Sequence, residues 1–226
     1  MTFRSFGSLA VVCATLAGCG DGSGLLGVAG AGNAASVRFV NASATTLDLA
    51  TGGNVAAGNA NILPGSSVGC FAVADPTVPS LSVRQAGSLT DLAGFTTSFA
   101  SGGRYTLVAF PGPSGLVQFI SVPTPFSPLA GRSALRVLNA SAGLPLVDVY
   151  ATAPGAPLVT PVATAVGFGS APATFDVAAG SIQVRLTTAG TTTLVYDAGN
   201  QALLQGRSYT LIVTSATAAL LVEDCI

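Results

Sequence analysis

The side chains of this chain that could do chemistry are four cysteines, eight arginines, nine carboxylates and four tyrosines, with no histidine. There is also no lysine, and the single glutamate is Glu223. Histidine is the commonest general acid or base, and a Ser-His-Asp triad or a histidine-ligated metal site requires it. The aspartates show no metal-ligand spacing. We therefore expect a protein that is not an enzyme and that carries no metal or other cofactor.

Two cysteines, Cys70 and Cys225, form an even pair if the chain resides in an oxidising compartment. A disulfide between them would close a loop of about 155 residues and contribute roughly 5 kcal/mol in the chain-entropy model. The alternative is two buried thiols, because Cys70 lies beside Phe71 in an apolar stretch. A cysteine nucleophile is not expected, since no histidine is present to activate it.

The charged residues are spread singly, and most of them recur at matching places in two halves of the chain. The net charge is −1 and no basic stripe exists, so nucleic acid is not an expected partner. One interpretation is a polar strip in which arginines bind carboxylates or acidic glycans. The other is cross-strand Arg–Asp pairs on a solvated face, which is favoured because residues repeated in both halves serve the shared fold. The recurring pairs are Arg38 and Arg136, Arg84 and Arg185, Arg104 and Arg207, and Asp48 and Asp148.

The first residues have the parts of a bacterial signal peptide. An apolar run over Phe6–Leu16 is too short to span a bilayer as a helix. The following Leu16-Ala17-Gly18-Cys19 resembles a lipobox, whose cysteine is acylated and becomes the new N-terminus. We predict a signal peptide over 1–18 and anchoring in the bilayer through acylated Cys19. The alternative is an ordinary secretory signal peptide in which the cysteine falls there by chance.

Residues 19–35 are rich in glycine and alanine and lack periodicity, which predicts a flexible tether. A poorly ordered first strand around Leu25, Leu26 and Val28 is the alternative. Gly20 follows the acylated cysteine, and by resemblance to bacterial lipoprotein sorting it favours the outer membrane, facing the periplasm or the cell surface. The expected location is therefore the bacterial cell envelope.

Internal repetition divides the remainder into two copies. Ser36–Ala44 returns as Ala134–Ala142, and Gly103–Val108 returns as Gly206–Val213. A period of about 100 residues is too long for a solenoid or a propeller blade, so we predict two domains joined by a stiff linker into a rod. The predicted parts are a β-sandwich over 36–122, a Pro-rich linker over 123–132 and a β-sandwich over 133–226.

Apolar residues alternate at period two within each copy. Val37 and Phe39 are expected to face a core with Arg38 outward, and Arg136 is expected to point outward in the second copy. No segment has a helical period. The pattern predicts an all-β protein of two tandem immunoglobulin-like antiparallel β-sandwiches, with about seven strands each.

Two short features recur in both copies. Asn41 and Asn139 each begin an Asn-Ala-Ser sequence that matches a glycosylation sequon, but in a bacterial lipoprotein we expect these side chains to close local turns. Tyr105 and Tyr209 lie shortly after a Gly-Arg dipeptide. They are predicted either to form a tyrosine corner or to serve only in core packing.

Leu135–Ser141 followed by Val147–Tyr150 resembles the opening of the bacterial family called domain of unknown function 4397. Members typically read Arg-Val-x-His-Ala-Ser-Pro and then Val-Asp-Val-Tyr. The second copy matches well, whereas the first keeps only the aspartate in Leu47–Leu49. Both copies have asparagine, Asn41 and Asn139, where the family has histidine. The resemblance implies an extracytoplasmic β-sandwich, often in tandem and lipid-anchored, with no established activity.

Two functions remain. The first is a non-catalytic, membrane-anchored envelope lipoprotein that presents two β-sandwich domains for binding an envelope or extracellular protein or glycan. The alternative is a purely structural spacer of the cell envelope without a specific ligand. A polar pocket or an exposed apolar surface would favour binding, and a uniformly small-residue surface would favour the spacer.

Overall fold

The computed structural model describes residues 34–73, 80–124 and 128–225. The predicted signal peptide, the predicted acylated cysteine and nearly all of the predicted tether lie outside these residues. The described part of the chain contains no helix long and apolar enough to cross a membrane.

The first domain consists of eight strands in two four-stranded sheets, with a short 3-10 turn over Ala57–Asn59. Its strands are β1 (Ala35–Asn41), β2 (Leu47–Thr51), β3 (Asn54–Val55), β4 (Phe71–Val73), β5 (Ser80–Gln85), β6 (Asp91–Thr96), β7 (Arg104–Pro111) and β8 (Val117–Pro123). The strand orders are β4-β1-β7-β8 in one sheet and β3-β2-β5-β6 in the other.

The second domain repeats this arrangement strand for strand. Its strands are β9 (Arg132–Asn139), β10 (Val147–Thr152), β11 (Ala163–Val166), β12 (Phe175–Ala178), β13 (Gly180–Thr188), β14 (Leu194–Leu203), β15 (Ser208–Ser215) and β16 (Ala218–Glu223). The orders β12-β9-β15-β16 and β11-β10-β13-β14 are those of the first domain shifted by eight. The all-β prediction of two sandwich domains is confirmed, with eight strands in each domain where seven were expected.

One strand pair in each domain departs from the predicted antiparallel pattern. β1 runs parallel to β7, and β9 runs parallel to β15, whereas the other paired strands are antiparallel. The first strand of each domain therefore ends at the same end of the sandwich as the seventh strand.

Each sandwich has its own apolar core, built by the alternation seen in the sequence. In the first domain Val37 and Phe39 of β1 pack with Leu49 and Val83 of the facing sheet. In the second domain the equivalent residues form the same kind of core. Burial of these side chains is the main favourable term in the folding of each domain.

The opposite faces of β1 and β9 are not solvated, because the two domains pack against each other there. Val40 and Val108 of the first domain lie in one apolar cluster with Leu138 and Ile212 of the second. The prediction that Arg136 points outward into solvent is therefore wrong, and only 2% of this residue is exposed.

The predicted rod is likewise wrong, since the sheets of the two domains stack face to face. The first and last residues of the segment predicted as a linker over 123–132 belong to strands: Pro123 ends β8 and Arg132 begins β9. Thr124 between them is 5% exposed. The two sandwiches thus share a third apolar core and are not separated by a spacer.

Candidate functional site

Arg136 is buried where the two domains meet, and oxygen atoms from both domains surround its guanidinium. Its Nε donates to Thr210 Oγ1 at 2.8 Å, and its Nη2 donates to Thr124 Oγ1 at 3.1 Å. Asp224 Oδ2 lies 3.4 Å from Nη2. The Pro123 carbonyl accepts a hydrogen bond from Nη1. An arginine of the second domain is therefore held partly by the last residues of the first.

Asp224 accepts hydrogen bonds from threonines of both domains. Thr106 Oγ1 donates to its Oδ1 at 2.6 Å, and Thr210 Oγ1 donates to the same atom at 2.8 Å. Burial lowers the pKa of the Arg136 guanidinium, while the Asp224 carboxylate acts to raise that pKa. Both members of this pair belong to the second domain, and each is bonded to residues of the first: Arg136 to Pro123 and Thr124, and Asp224 to Thr106. A buried ion that lost its partner would be left uncompensated, so these hydrogen bonds and the pair hold each other in place at the interface.

A disulfide between Cys70 and Cys225 also joins the domains, with the Cα atoms 5.9 Å apart. Cys70 lies just before β4 and Cys225 lies just after β16. The sequence allows either a disulfide or two buried thiols, and the structure contains the disulfide. The covalent bond lies one residue beyond Asp224, so the ionic and covalent links occupy the same edge of the interface.

Arg38 occupies in β1 the position that Arg136 occupies in β9, but it has few partners. Both strands pair in the same register, with Arg38 opposite Thr106 and Arg136 opposite Thr210. Arg38 Nη2 lies 3.6 Å from Cys70 Sγ, and its buried Nε has no hydrogen-bond partner among the described residues. It lines a cavity of about 300 Å³ at the interface.

Arg84 forms the cross-strand ion pair that the sequence suggested, but with a different aspartate. It lies opposite both Asp48 and Asp91 in the strand register, and its Nε contacts Asp91 Oδ1 at 2.5 Å. Hydrogen bonds from Arg84 and Ser82 hold the pKa of the Asp91 carboxyl below its usual value. The pair stabilises the outer sheet of the first domain.

Arg185, at the matching place in β13, has no such ion pair within the described residues. It donates from Nη2 to Thr152 Oγ1 at 2.7 Å and to the Ala156 carbonyl. Asp197, which lies opposite Arg185, instead accepts from Gln183 Nε2 at 2.8 Å. The recurring arginines therefore do not have the same partners in the two domains.

The recurring aspartates serve the fold and face no open site. Each is buried and accepts two backbone N–H groups, one from each of two neighbouring segments, so that it ties those segments to its strand. In each domain one donor is a non-glycine residue with positive φ, a conformation that this hydrogen bond helps to hold. The bonds are Asn61 N (2.7 Å) and Gly87 N (2.9 Å) to Asp48, and Ala165 N (2.9 Å) and Gly190 N (2.8 Å) to Asp148.

The two asparagines close local turns, as expected. Asn41 Oδ1 accepts from the Ser43 backbone N–H at 3.0 Å, and Asn139 Oδ1 accepts from the Ser141 N–H at 3.1 Å. Both asparagines are fully buried. An attached glycan has no room there, so these sequences are structural turns.

The two tyrosines form corners in addition to packing. The backbone N–H of Ala100 donates to the Tyr105 hydroxyl at 2.8 Å, and that of Leu204 donates to the Tyr209 hydroxyl at 3.1 Å. Each bond spans five residues and ties a loop to the strand that follows it.

The remaining recurring arginines, Arg104 and Arg207, also lie in different surroundings in the two domains. Arg207 Nη1 lies 3.0 Å from Glu223 Oε1 at the surface. Arg104 begins β7, and its carbonyl accepts a hydrogen bond from the Thr124 N–H at 2.7 Å. The polar strip, which was the less favoured interpretation of the sequence, does not form, because the recurring charges lie on the outer sheets, at the domain interface and at the edges.

The residues that the sequence did not single out are those at the interface. Thr106 and Thr210 recur in the repeated segments, but recurrence alone does not show that they face the other domain. Thr124 and Asp224 do not recur as a pair, so repetition could not mark them. The only signal available was that Asp224 precedes a cysteine near the chain's end.

The exposed leucines are concentrated at one end of the molecule, which we call the distal end. The chain enters β1 at Ala35, and β1 and β7 run toward the other end, where the β7–β8 turn carries Leu116. The second domain has its corresponding end alongside, because Phe110 near the end of β7 contacts Phe168 with ring centroids 5.6 Å apart. Six of the eight exposed leucines in the described chain lie there: Leu63, Leu89, Leu92, Leu116, Leu146 and Leu194.

The described residues contain no group of three histidine, cysteine, aspartate or glutamate side chains that could hold a metal ion. In comparison with known proteins, the family described as "Domain of unknown function (DUF4397)" matches residues 133–224, which is the second domain. The resemblance seen in the sequence is thus confirmed for this domain. No curated protein matches the chain.

Proposed function

We propose that this chain is a non-catalytic lipoprotein of the bacterial cell envelope that binds an envelope or extracellular protein or glycan through the loops of its distal end. Acylated Cys19 anchors the protein in the outer membrane, and the tether of residues 19–35 connects this anchor to the two folded domains. The observation that carries the proposal is the set of exposed leucines in distal loops of both domains. Leu89 is 88% exposed and Leu116 is 68% exposed.

The direction of the chain supports this arrangement. The tether joins β1 at Ala35, at the end of the sandwich opposite to Leu89 and Leu116, so these leucines lie away from the point of attachment. Large apolar side chains held out in water are unfavourable unless a partner covers them, and exposed apolar surfaces mark interaction sites. Loops on a rigid scaffold are the common place for such contacts.

The disulfide supports the location. Disulfides persist in oxidising compartments such as the bacterial periplasm and the cell surface and are rare in the cytosol. A bond that fixes two domains together also suits a scaffold that presents loops from both at a constant spacing.

The alternative of a structural spacer has less support. A spacer gains reach from domains placed end to end, whereas these sandwiches stack through a shared apolar core. The surface is not made uniformly of small residues, since large leucines protrude from the loops.

The test is crosslinking capture from envelope fractions with a matched pair of variants. The distal variant Leu89→Ser/Leu116→Ser is expected to lose the captured partner. The control variant Leu129→Ser/Leu204→Ser changes leucines that are 65% and 62% exposed outside the distal end, and is expected to keep it. Equal capture by both variants, or no specific partner for the wild type, would overturn the proposal.

The anchor is tested separately. Radiolabelled palmitate is expected to label the wild-type protein, and Cys19→Ala is expected to abolish labelling. Labelling that persists in Cys19→Ala would refute acylation at this residue.

A further inference from the structure

The duplicated fold places two equivalent arginines at equivalent positions of the interface, and only one of them is satisfied. Arg136 is bonded to a carbonyl, two hydroxyls and a carboxylate. Arg38 forms no ion pair with any described residue, and its nearest partner is the sulfur of Cys70 at 3.6 Å. A buried guanidinium N–H without an acceptor is unusual in a native protein.

The difference between the two arginines follows from a single asymmetry. The strand register places Pro123 opposite Tyr105 and Glu223 opposite Tyr209, so Thr124 in the first domain corresponds to Asp224 in the second. Both threonines donate to Asp224, and Thr210 Oγ1 also accepts from Arg136, whereas the hydrogen-bond contact of Arg38 is with Cys70 Sγ. Oxygen atoms therefore surround Arg136, whereas the side-chain contact of Arg38 is with a sulfur atom.

The cavity beside Arg38 has mostly polar walls. Its volume is about 300 Å³, and it is lined by Arg38, the loop over 65–67 and residues 219–223 of β16. The loop is held in place, since Ser67 bridges to Val40 and the Gly65 N–H donates to the Asn41 carbonyl at 2.8 Å. The site is therefore formed by the fold of both domains together.

The charges around the cavity leave one positive charge in excess. Glu223 lines it, but its carboxylate is paired with Arg207 at 3.0 Å. The neighbouring Asp224 is paired with Arg136. The two carboxylates thus match two arginines, and Arg38 is the third.

We infer that the Arg38 cavity binds a carboxylate end-group. A carboxylate presents two coplanar oxygens that fit the fork of a guanidinium, and it would supply to Arg38 the kind of oxygen atoms that Arg136 receives from the protein itself. The volume lies at the small end of ligand sites and fits a terminal unit such as the last residue of a peptide or a uronic acid. None of the distal leucines lines this site, which goes beyond the proposed function.

The experiment is calorimetric titration of the mature lipoprotein in detergent with two carboxylates, each matched to a neutral analogue. N-acetyl-alanyl-alanine is compared with its C-terminal amide, and glucuronic acid with glucose. At least one carboxylate is expected to bind while its neutral analogue does not, and the one that binds identifies the source of the carboxylate. Binding of neither carboxylate, or equal binding of an analogue, overturns the inference.

Variants locate the binding. Arg38→Gln is expected to weaken it about tenfold or more, because it removes a charge-assisted hydrogen bond. Arg38→Lys keeps the charge without the fork and is expected to give an intermediate affinity, which also guards against a folding defect in the first variant. Arg132 is exposed and its side chain donates to the Asp176 carbonyl, away from the cavity, so Arg132→Gln serves as the control and is expected to bind as the wild type does. Wild-type affinity in Arg38→Gln overturns the inference.

The two proposals fail independently. The distal variant Leu89→Ser/Leu116→Ser leaves the Arg38 cavity intact and is expected to bind the carboxylate normally. Loss of partner capture with retained carboxylate binding, or the reverse, shows which of the two sites is at fault.

Discussion

Asn41 and Asn139 close the same turn in the two domains, whereas Arg38 and Arg136, which also occupy matching positions, have different partners. The first kind of residue bonds within its own domain. The second kind lies where the domains meet. The comparison of the two domains therefore separates residues that fold each sandwich from residues that join them.

One of the residues that join the domains differs between the two copies. Thr124 stands where the second domain has Asp224, and this one difference places a carboxylate on only one side of the interface. A symmetric interface would have put two carboxylates or none near two arginines. The difference provides one internal ion pair and leaves the other arginine with its charge uncompensated.

The largest effect is expected from breaking the ion pair. Asp224→Asn leaves Arg136 buried without a countercharge and is expected to lower the free energy of unfolding by about 3–5 kcal/mol. Glu223→Gln, which breaks the neighbouring surface pair, is expected to cost no more than about 1 kcal/mol. Urea unfolding of both variants measures this, and equal losses would show that Asp224 contributes no more than a surface charge.

The covalent link comes next. Cys70→Ser/Cys225→Ser is expected to lower the free energy of unfolding by about 2–5 kcal/mol, because the bond closes a loop spanning 155 residues. An unchanged urea midpoint in the double variant would mean that the noncovalent interface already fixes the chain's end.

A smaller effect is expected at the tyrosine corners. Tyr209→Phe removes the acceptor of the Leu204 N–H and is expected to cost about 1 kcal/mol. Tyr105→Phe is expected to cost less, because its partner, the Ala100 N–H, is exposed to water. A larger loss from Tyr105→Phe in urea unfolding would reverse this ranking of the two domains.

The smallest effect is expected in the pH dependence of stability, and it arises from the Arg84–Asp91 ion pair of the first domain. Arg84 lowers the pKa of Asp91, so the stabilisation is present above the ordinary carboxyl pKa and is lost as the pH falls through the lowered one. The difference in stability between wild type and Asp91→Asn is expected to shrink below about pH 4. A difference that stays constant down to about pH 2 would contradict the pairing.

The sequence predicted most of what lies within each domain, because strand alternation and turn residues are local signals. Val37 and Phe39 could be assigned to a core and Asn41 to a turn without knowledge of the other copy. The interface could not be predicted, since an arginine between apolar residues on a strand has the same pattern whether its face meets water or another sheet. The pattern therefore predicts that Arg136 faces solvent, whereas the structure buries it. The distal leucines lie in loops or, as Leu92 and Leu194 do, at the start of a strand, where no periodicity indicates what the chain faces.

The central claim is that the two sandwiches form one cooperative unit, and differential scanning calorimetry of the purified protein tests it most directly. A single transition with equal calorimetric and van't Hoff enthalpies is predicted, because the shared apolar core, the hydrogen bonds of Arg136 and Asp224 to the first domain and the disulfide link the unfolding of one domain to that of the other. Two resolved transitions, each with about half of the total enthalpy, would contradict it.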